Sequence, residues 1–515
     1  MRARIKKGGK IMNQKLIIGI TFTLYLFVML LIGWYFYVRT KNLSDYTLGG
    51  RKLGYWGTSI SAQASDMSGW LLLGLPGAAF LTGLSGSVWM AGGLAIGTYL
   101  NWKIIAKKLR IDTQKFSDSI TIPSYLENRF GDKSRILKIA SSIFIILFFL
   151  PYTASGFVSG GKLFTTVFGT PYIVSVIICA IVVVSYTYLG GFMAVCYTDI
   201  IQGLLMFFTL IILPVMVVVE AGGLSSISAS IDASLLNPFN IEHLTGSTSG
   251  TFGMAFIGII SSLAWGLGYF GQPHILTKFM AIENPEEIKI SRRIATVWVI
   301  LTLTASTAIG LVGHYYFPNL SGADAETIFI LLVHKCVPLL LTGILLSAIL
   351  AAIMSTADSQ LLVTSSTVSE DFYRSILKPH ASDKELVRVS RLTVLVVSVI
   401  AFIIALNPDS SVLKLVSYAW AGFGCAFGPV IILSLFWNKM TRNGAVAGMI
   451  AGGITSGFWP ILKVHFSSSI FQLYEIIPGF LMALLAIYIV SKIDEKRGII
   501  CTPNYSEDNV VKQAN

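Results

Sequence analysis

The sequence predicts an all-α polytopic membrane protein of about 13 transmembrane helices. Three observations carry that prediction. Of the 515 residues, 54% are hydrophobic and only 12% charged, whereas a globular chain carries about 25% charged residues. Apolar stretches of spanning length recur along nearly the whole chain, and the mean hydropathy is +0.72. The basic residues fall on alternate connections between those stretches. A soluble enzyme, a disordered chain and a disulfide scaffold are excluded.

Taken in order, the spans are expected at about 16–38, 56–82, 87–106, 139–160, 172–190, 197–219, 252–274, 294–317, 336–366, 391–406, 411–437, 444–464 and 471–491. Under the positive-inside rule the first, third, seventh, ninth and eleventh connections and the tail lie in the cytoplasm. They hold 28 Lys and Arg, against four (Lys162, Lys335, Lys414, Lys463) on the opposite side. The amino terminus is therefore expected outside and the carboxyl terminus inside, in the cytoplasmic membrane. Six basic residues before the first span, from Arg2 to Lys15, oppose this bias, so Met12 is read as the physiological start and 1–11 as a dispensable or non-native leader.

The net charge of +12 is accounted for by these loops, and the expected partner is the lipid bilayer rather than nucleic acid. Cys179, Cys196, Cys336, Cys425 and Cys501 are odd in number and far apart, which suggests neither disulfides nor a metal site. The histidines have no metal spacing. With no Gly-rich phosphate loop followed by Lys, an ATP-driven pump is not expected; nor is an enzyme or a cofactor.

Polar residues inside spans are costly and point to function. The second span opens SISAQASDMSGW, where clustered Ser and Gly predict a break near Asp66–Gly69 that frees carbonyl oxygens at membrane depth. Asp66 would coordinate an ion, support an ion site or cap a half-helix; the sequence leaves all three open. In the ninth span Ser355 and Thr356 are adjacent hydroxyls suited to a hard monovalent cation facing such carbonyls. The seventh span, SSLAWGLGYFGQPHIL, combines three glycines with Pro273 and predicts a second interruption. Trp265 and Tyr269, four apart, would share a helical face and wall a small ligand, or be ordinary core aromatics. Asp199 reads mainly as a helix amino-terminal cap.

Two interrupted helices in corresponding places point to an inverted-repeat transporter. The division is then 12–55 for the first helix and a cytoplasmic loop, 56–219 for the first repeat (helices 2–6), 220–251 for an extracellular loop, 252–437 for the second repeat (helices 7–11), 438–491 for helices 12–13, and 492–515 for a cytoplasmic tail.

The segments ASDMSGWLLLGLPGA (64–78), TYLGGFMAVCYTDIIQG (187–203), AWGLGYFGQPHIL (264–276) and AAIMSTADSQLLVTSS (351–366) resemble the sodium/solute symporter family, and its proline branch over its sugar or sialic-acid branches. The match runs from about Met12 to about Ser491. The resemblance implies a leucine-transporter-type five-plus-five inverted repeat and sodium-coupled import of L-proline; the alternative is a sodium symporter of this fold for another small or compatible solute. It implies sodium as the co-transported ion, held by Ala64, Met67, Ala352, Ser355 and Thr356, with Asp66, Ser68, Gly69 and Asp199 in ion coupling. It assigns Trp70, Tyr152, Trp265, Tyr269 and Pro273 to the proline pocket. Asp358 stands where some relatives have a neutral residue, and would alter ion affinity or meet a cytoplasmic partner.

Overall fold

The computed structural model describes residues 2–38, 43–188, 191–466, 468–499, 501 and 503. Of the charges counted above, Arg39, Lys41 and Lys512 lie outside these residues. Eleven helices among the described residues are long and apolar enough to cross a membrane. One of them, Trp70–Lys115, has 46 residues, about 69 Å at 1.5 Å per residue, more than twice the hydrocarbon thickness of ~30 Å. The excess is resolved at Gly83, whose φ of 61° and ψ of −147° form a conformation open to little but glycine. A β-carbon there would stand 2.1 Å from the Leu235 carbonyl oxygen. Both flanks return to one end of the bundle: Leu53 N donates to Ala281 O at 3.1 Å, and Lys107 pairs with Glu286 at 2.5 Å.

Divided at Gly83 and joined by the shorter apolar helix Tyr172–Thr187, these helices make the thirteen expected passes. They are α1 (Arg2–Tyr37), α2 (Tyr55–Asp66, resuming at Trp70 and ending at Gly83), α3 (Gly83 to Lys115), α4 (Ile136–Phe168), α5 (Tyr172–Thr187) and α6 (Phe192–Glu220). After them come α7 (Phe252–Leu263, continuing to Ala281), α8 (Ile288–Gly313), α9 (Leu339–Ser366), α10 (Asp383–Ile404), α11 (Val412–Phe436), α12 (Arg442–His465) and α13 (Ile476–Lys496).

Several boundaries differ from the expected ones, because hydropathy detects only the part of a helix inside the hydrocarbon. α10 starts at Asp383 rather than near 391, where Asp383 and Glu385 complement the helix dipole and Ser382 Oγ accepts from Glu385 N at 3.3 Å. Past Ser366, α9 continues as a π-helix to Leu377. The expected outer loop 220–251 contains three short helical turns, Leu224–Ser228, Ala233–Leu236 and Ile241–Thr245, the last two capped by Asp232 and Asn240.

Both interruptions are present in different forms. α2 stops at Asp66, Met67 leaves helical geometry (φ −82°, ψ 72°), and a π-turn resumes at Trp70. α7 does not unwind over its glycines: Ala264–Gly271 tightens into a 3₁₀-helix, and only Gln272 is extended before Pro273 begins the next helix. The glycines instead permit close packing, since a β-carbon on Gly268 would lie 1.9 Å from Trp420 Nε1 and one on Gly271 2.2 Å from Phe423 O.

Between α8 and α9 the chain makes a 3₁₀ turn, Gly322–Thr327, and a helix, Ile328–Cys336, too short to span. Here Glu326 is buried. Its carboxylate accepts from Lys162 Nζ of α4 at 2.5 Å, Ser411 Oγ at 2.8 Å, Val412 N at 3.1 Å and Leu413 N at 3.2 Å. It is thus both an ion-pair partner and the cap of α11.

Candidate ion and solute site

The end of α2's first half lies against the middle of α9. Ser355 Oγ donates to the Ala64 carbonyl at 2.8 Å, and to Ala352 O of its own helix at a longer 3.3 Å. The bond across the helices is thus the shorter one, although a hydroxyl in a membrane helix commonly bonds back to its own turn. Thr356 Oγ1 is buried and makes no hydrogen bond among the described residues. The structure therefore brings Ala64, Ala352 and Ser355 into direct contact, with Thr356 next in the chain. Met67 stands at the break itself; its Sδ accepts from Trp298 Nε1 at 3.1 Å.

Asp66 caps no half-helix. Its Oδ2 accepts from the Tyr269 hydroxyl at 2.6 Å and its carbonyl from Trp70 Nε1 at 3.0 Å, while Oδ1 is buried without a hydrogen bond among the described residues. Ser68 serves the turn instead: its carbonyl accepts from Leu71 N at 3.0 Å and its hydroxyl, weakly, from Trp70 N at 3.4 Å. A β-carbon on Gly69 would lie 2.1 Å from Ser159 Oγ of α4, so the glycine lets α2 and α4 touch at the break.

Trp265 and Tyr269 do not share a face. In a 3₁₀-helix residues three apart eclipse and residues four apart diverge by about 120°. Trp265 stacks on Tyr474 (5.3 Å between centroids, 21°), while Tyr269 meets Trp420 edge-on (4.9 Å, 90°) and reaches Asp66. Trp420 holds the segment by donating Nε1–H to Trp265 O at 2.8 Å. Tyr152 is buried on α4 and meets His274 edge-on at 5.9 Å. Pro273 faces a separate small cavity with Thr121, Pro123 and Thr367, away from Trp265.

Asp199 is not a helix-start cap; it lies a turn or more inside α6, fully buried. Its Oδ2 accepts from Ser61 Oγ at 2.6 Å, Ser65 Oγ at 3.2 Å and Lys278 Nζ at 3.1 Å. Ser65 Oγ is also 2.9 Å from Ser359 Oγ. Lys278, counted above as a connection charge, is in fact 1% exposed, because the second half of α7 continues past the expected end at 274. Asp358 is buried and accepts from Thr187 Oγ1 of α5, so it meets its own bundle rather than a cytoplasmic partner.

Comparison with known proteins identifies the family and the fold. Residues 46–452 match the Sodium:solute symporter family. The chain belongs to this family. Symporter-family relatives include the osmoregulated proline transporter OpuE of Bacillus subtilis, 48% identical over 93% of this chain and 95% of that protein. The sodium/proline symporter of Escherichia coli is 48% identical over 92% of each. Among solved structures, a Na⁺-coupled sialic acid symporter in a substrate-bound outward-open state superposes with a TM-score of 0.77 at 22% identity, covering 93% of this chain and 97% of that one. Mhp1, a nucleobase-cation-symport-1 family transporter, does so at 0.55 and 11% identity, covering 90% and 96%. These two likenesses speak for the fold alone, which is of the leucine-transporter type.

In this symporter-family chain the sequence reading missed Lys278, Ser61, Ser65, Ser359, Trp420 and His274. A signal for part of the set was present. Ser61 and Ser65 are four apart, as are Ser355 and Ser359, so each pair lines one helix face. Nothing local in the sequence singles out Lys278 or Trp420, whose partners are remote.

Proposed function

We propose that this symporter-family protein imports L-proline coupled to sodium, by alternating access around the break in α2. It sits in the cytoplasmic membrane with its amino terminus outside and its carboxyl terminus in the cytoplasm. The observation that carries the solute assignment is the 48% identity, over nearly the full length, to proteins named as proline transporters. The loop charges support the orientation, and residues 56–219 and 252–437 are proposed as the two repeats.

In this reading the ion's ligands are the oxygens of Ala64, Met67, Ala352, Ser355 and Thr356, with Asp66 supplying charge nearby. Hard oxygen donors at a helix break suit a monovalent cation. Trp70, Tyr152 and Tyr269 are proposed around the solute, whereas Trp265, stacked on Tyr474, and Pro273, on a separate cavity, are left outside that group; Tyr269, bonded to Asp66, links solute to ion. The driving force is adequate: about 2.3 kcal/mol per charge through 100 mV plus about 1.4 kcal/mol per tenfold sodium gradient supports accumulation of roughly 500-fold. The test is radiolabelled proline uptake into proteoliposomes under an imposed sodium, potassium or proton gradient. Uptake should require sodium, and equal uptake under all three would end the symport reading.

A further inference from the structure

A second site lies at the basic end of the bundle, far from the α2 break. There a cavity of about 650 Å³ opens between the end of α3, the helix Ile122–Phe130, the turn joining α11 to α12 and the chain after α13. Four cations line it, Lys108, Lys115, Arg129 and Lys439, against two acids, Asp112 and Glu495. Glu495 is already shared, accepting from Lys439 at 2.7 Å and Lys492 at 2.8 Å.

Arg129 is built into the wall. It is 8% exposed, its Nε–H donates to Ser434 O at 3.1 Å, and its guanidinium lies over the rings of Phe116 (5.6 Å) and Phe130 (5.2 Å). Its terminal nitrogens make no hydrogen bond among the described residues, which leaves a fixed, planar donor pair of the kind that grips two oxygens of one anion.

The aromatic residues beside the cavity bear on which anion it suits. Trp437 stacks on the exposed Tyr488 (5.9 Å, 19°) beside it, an aromatic pair of the type that marks the level of lipid headgroups. Lys108 Nζ stands 5.5 Å over the ring of Phe436, itself exposed at the end of α11. A basic pocket at headgroup level, with an apolar flank, matches a phosphodiester carrying acyl chains. We propose that this pocket binds the phosphate group of an anionic phospholipid.

Free phosphate offers the same chemistry, so the test separates the two. Purified full-length protein in detergent is titrated with phosphatidylglycerol, phosphatidylcholine or inorganic phosphate, and bound species are counted by native mass spectrometry. Phosphatidylglycerol is expected to bind at least tenfold more tightly than phosphatidylcholine. Lys108→Gln with Lys439→Gln should weaken it at least fivefold at unchanged melting temperature. Lys289→Gln with Lys384→Gln, the same charge change at exposed positions in the first turns of α8 and α10, should leave it intact. Equal binding of the two lipids, or no effect of the pocket variants, overturns the site. Saturable phosphate binding that displaces phosphatidylglycerol and vanishes in the pocket variants assigns the cavity to free phosphate and overturns the lipid.

Discussion

The Tyr269 hydroxyl donates to Asp66 Oδ2 at 2.6 Å, tying the 3₁₀ segment of α7 to the break in α2. Tyr269→Phe removes one donor and leaves that oxygen buried, a loss of about 1–3 kcal/mol. Half-maximal sodium for proline uptake should rise about 5- to 150-fold. Asp66→Asn should nearly abolish sodium-driven uptake while the protein still reaches the membrane, as judged by surface labelling. Wild-type sodium dependence in both variants would detach this pair from the ion.

Ser355→Ala deletes the bond to Ala64 O, and Thr356→Ala removes a buried oxygen with no other partner among the described residues. Each should shift sodium dependence strongly and proline dependence at saturating sodium weakly. Thr304→Ala, which deletes an exposed hydroxyl bonded only to its own helix, is the control. An equal shift in all three would place the ion elsewhere.

Lys278→Met leaves the Asp199 carboxylate buried without its counter-charge. Breaking one side of a buried ion pair costs about 3–5 kcal/mol, so the melting temperature should fall clearly. Adding Asp199→Asn removes the stranded charge and should restore most of the loss. A double variant no more stable than Lys278→Met would mean that Lys278 acts through packing alone.

Gly69→Ala drives a methyl group into Ser159, with its β-carbon 2.7 Å from the Ser159 Cβ and 2.1 Å from Oγ. Uptake should fall by an order of magnitude or more, and Ser159→Gly in the same chain should recover part of it by vacating that volume. No recovery would assign the effect to the backbone at the break.

Much of the fold is legible in the sequence, because a bilayer imposes one length and one polarity on every pass: thirteen spans and the break after Asp66 follow from hydropathy and from clustered Ser and Gly. Gly83 is legible only in retrospect, since glycine also serves helix packing. The face shared by Trp265 and Tyr269 was lost because glycine-rich sequence is compatible with unwinding and with 3₁₀ tightening alike, and the choice was made by Trp420 pressing on Gly268 from α11. Lys278 was misplaced for a related reason. A lysine at the end of an apolar run signals a membrane boundary unless a carboxylate from another helix waits inside, and the carboxylate of Asp199 is 79 residues away in sequence.

Glu326 gathers an ammonium from α4, a hydroxyl and two main-chain amides from α11, and its own loop at a single carboxylate. Two oxygens satisfy four donors only while α4 and α11 keep their present spacing. Any excursion that parts these helices must strand several of these donors in one step, although Lys162 keeps a second, longer bond to the Ala323 carbonyl of the same loop at 3.3 Å. This end of the bundle therefore resists small displacements and yields only past a threshold, which gives it the character of a toggle rather than a spring.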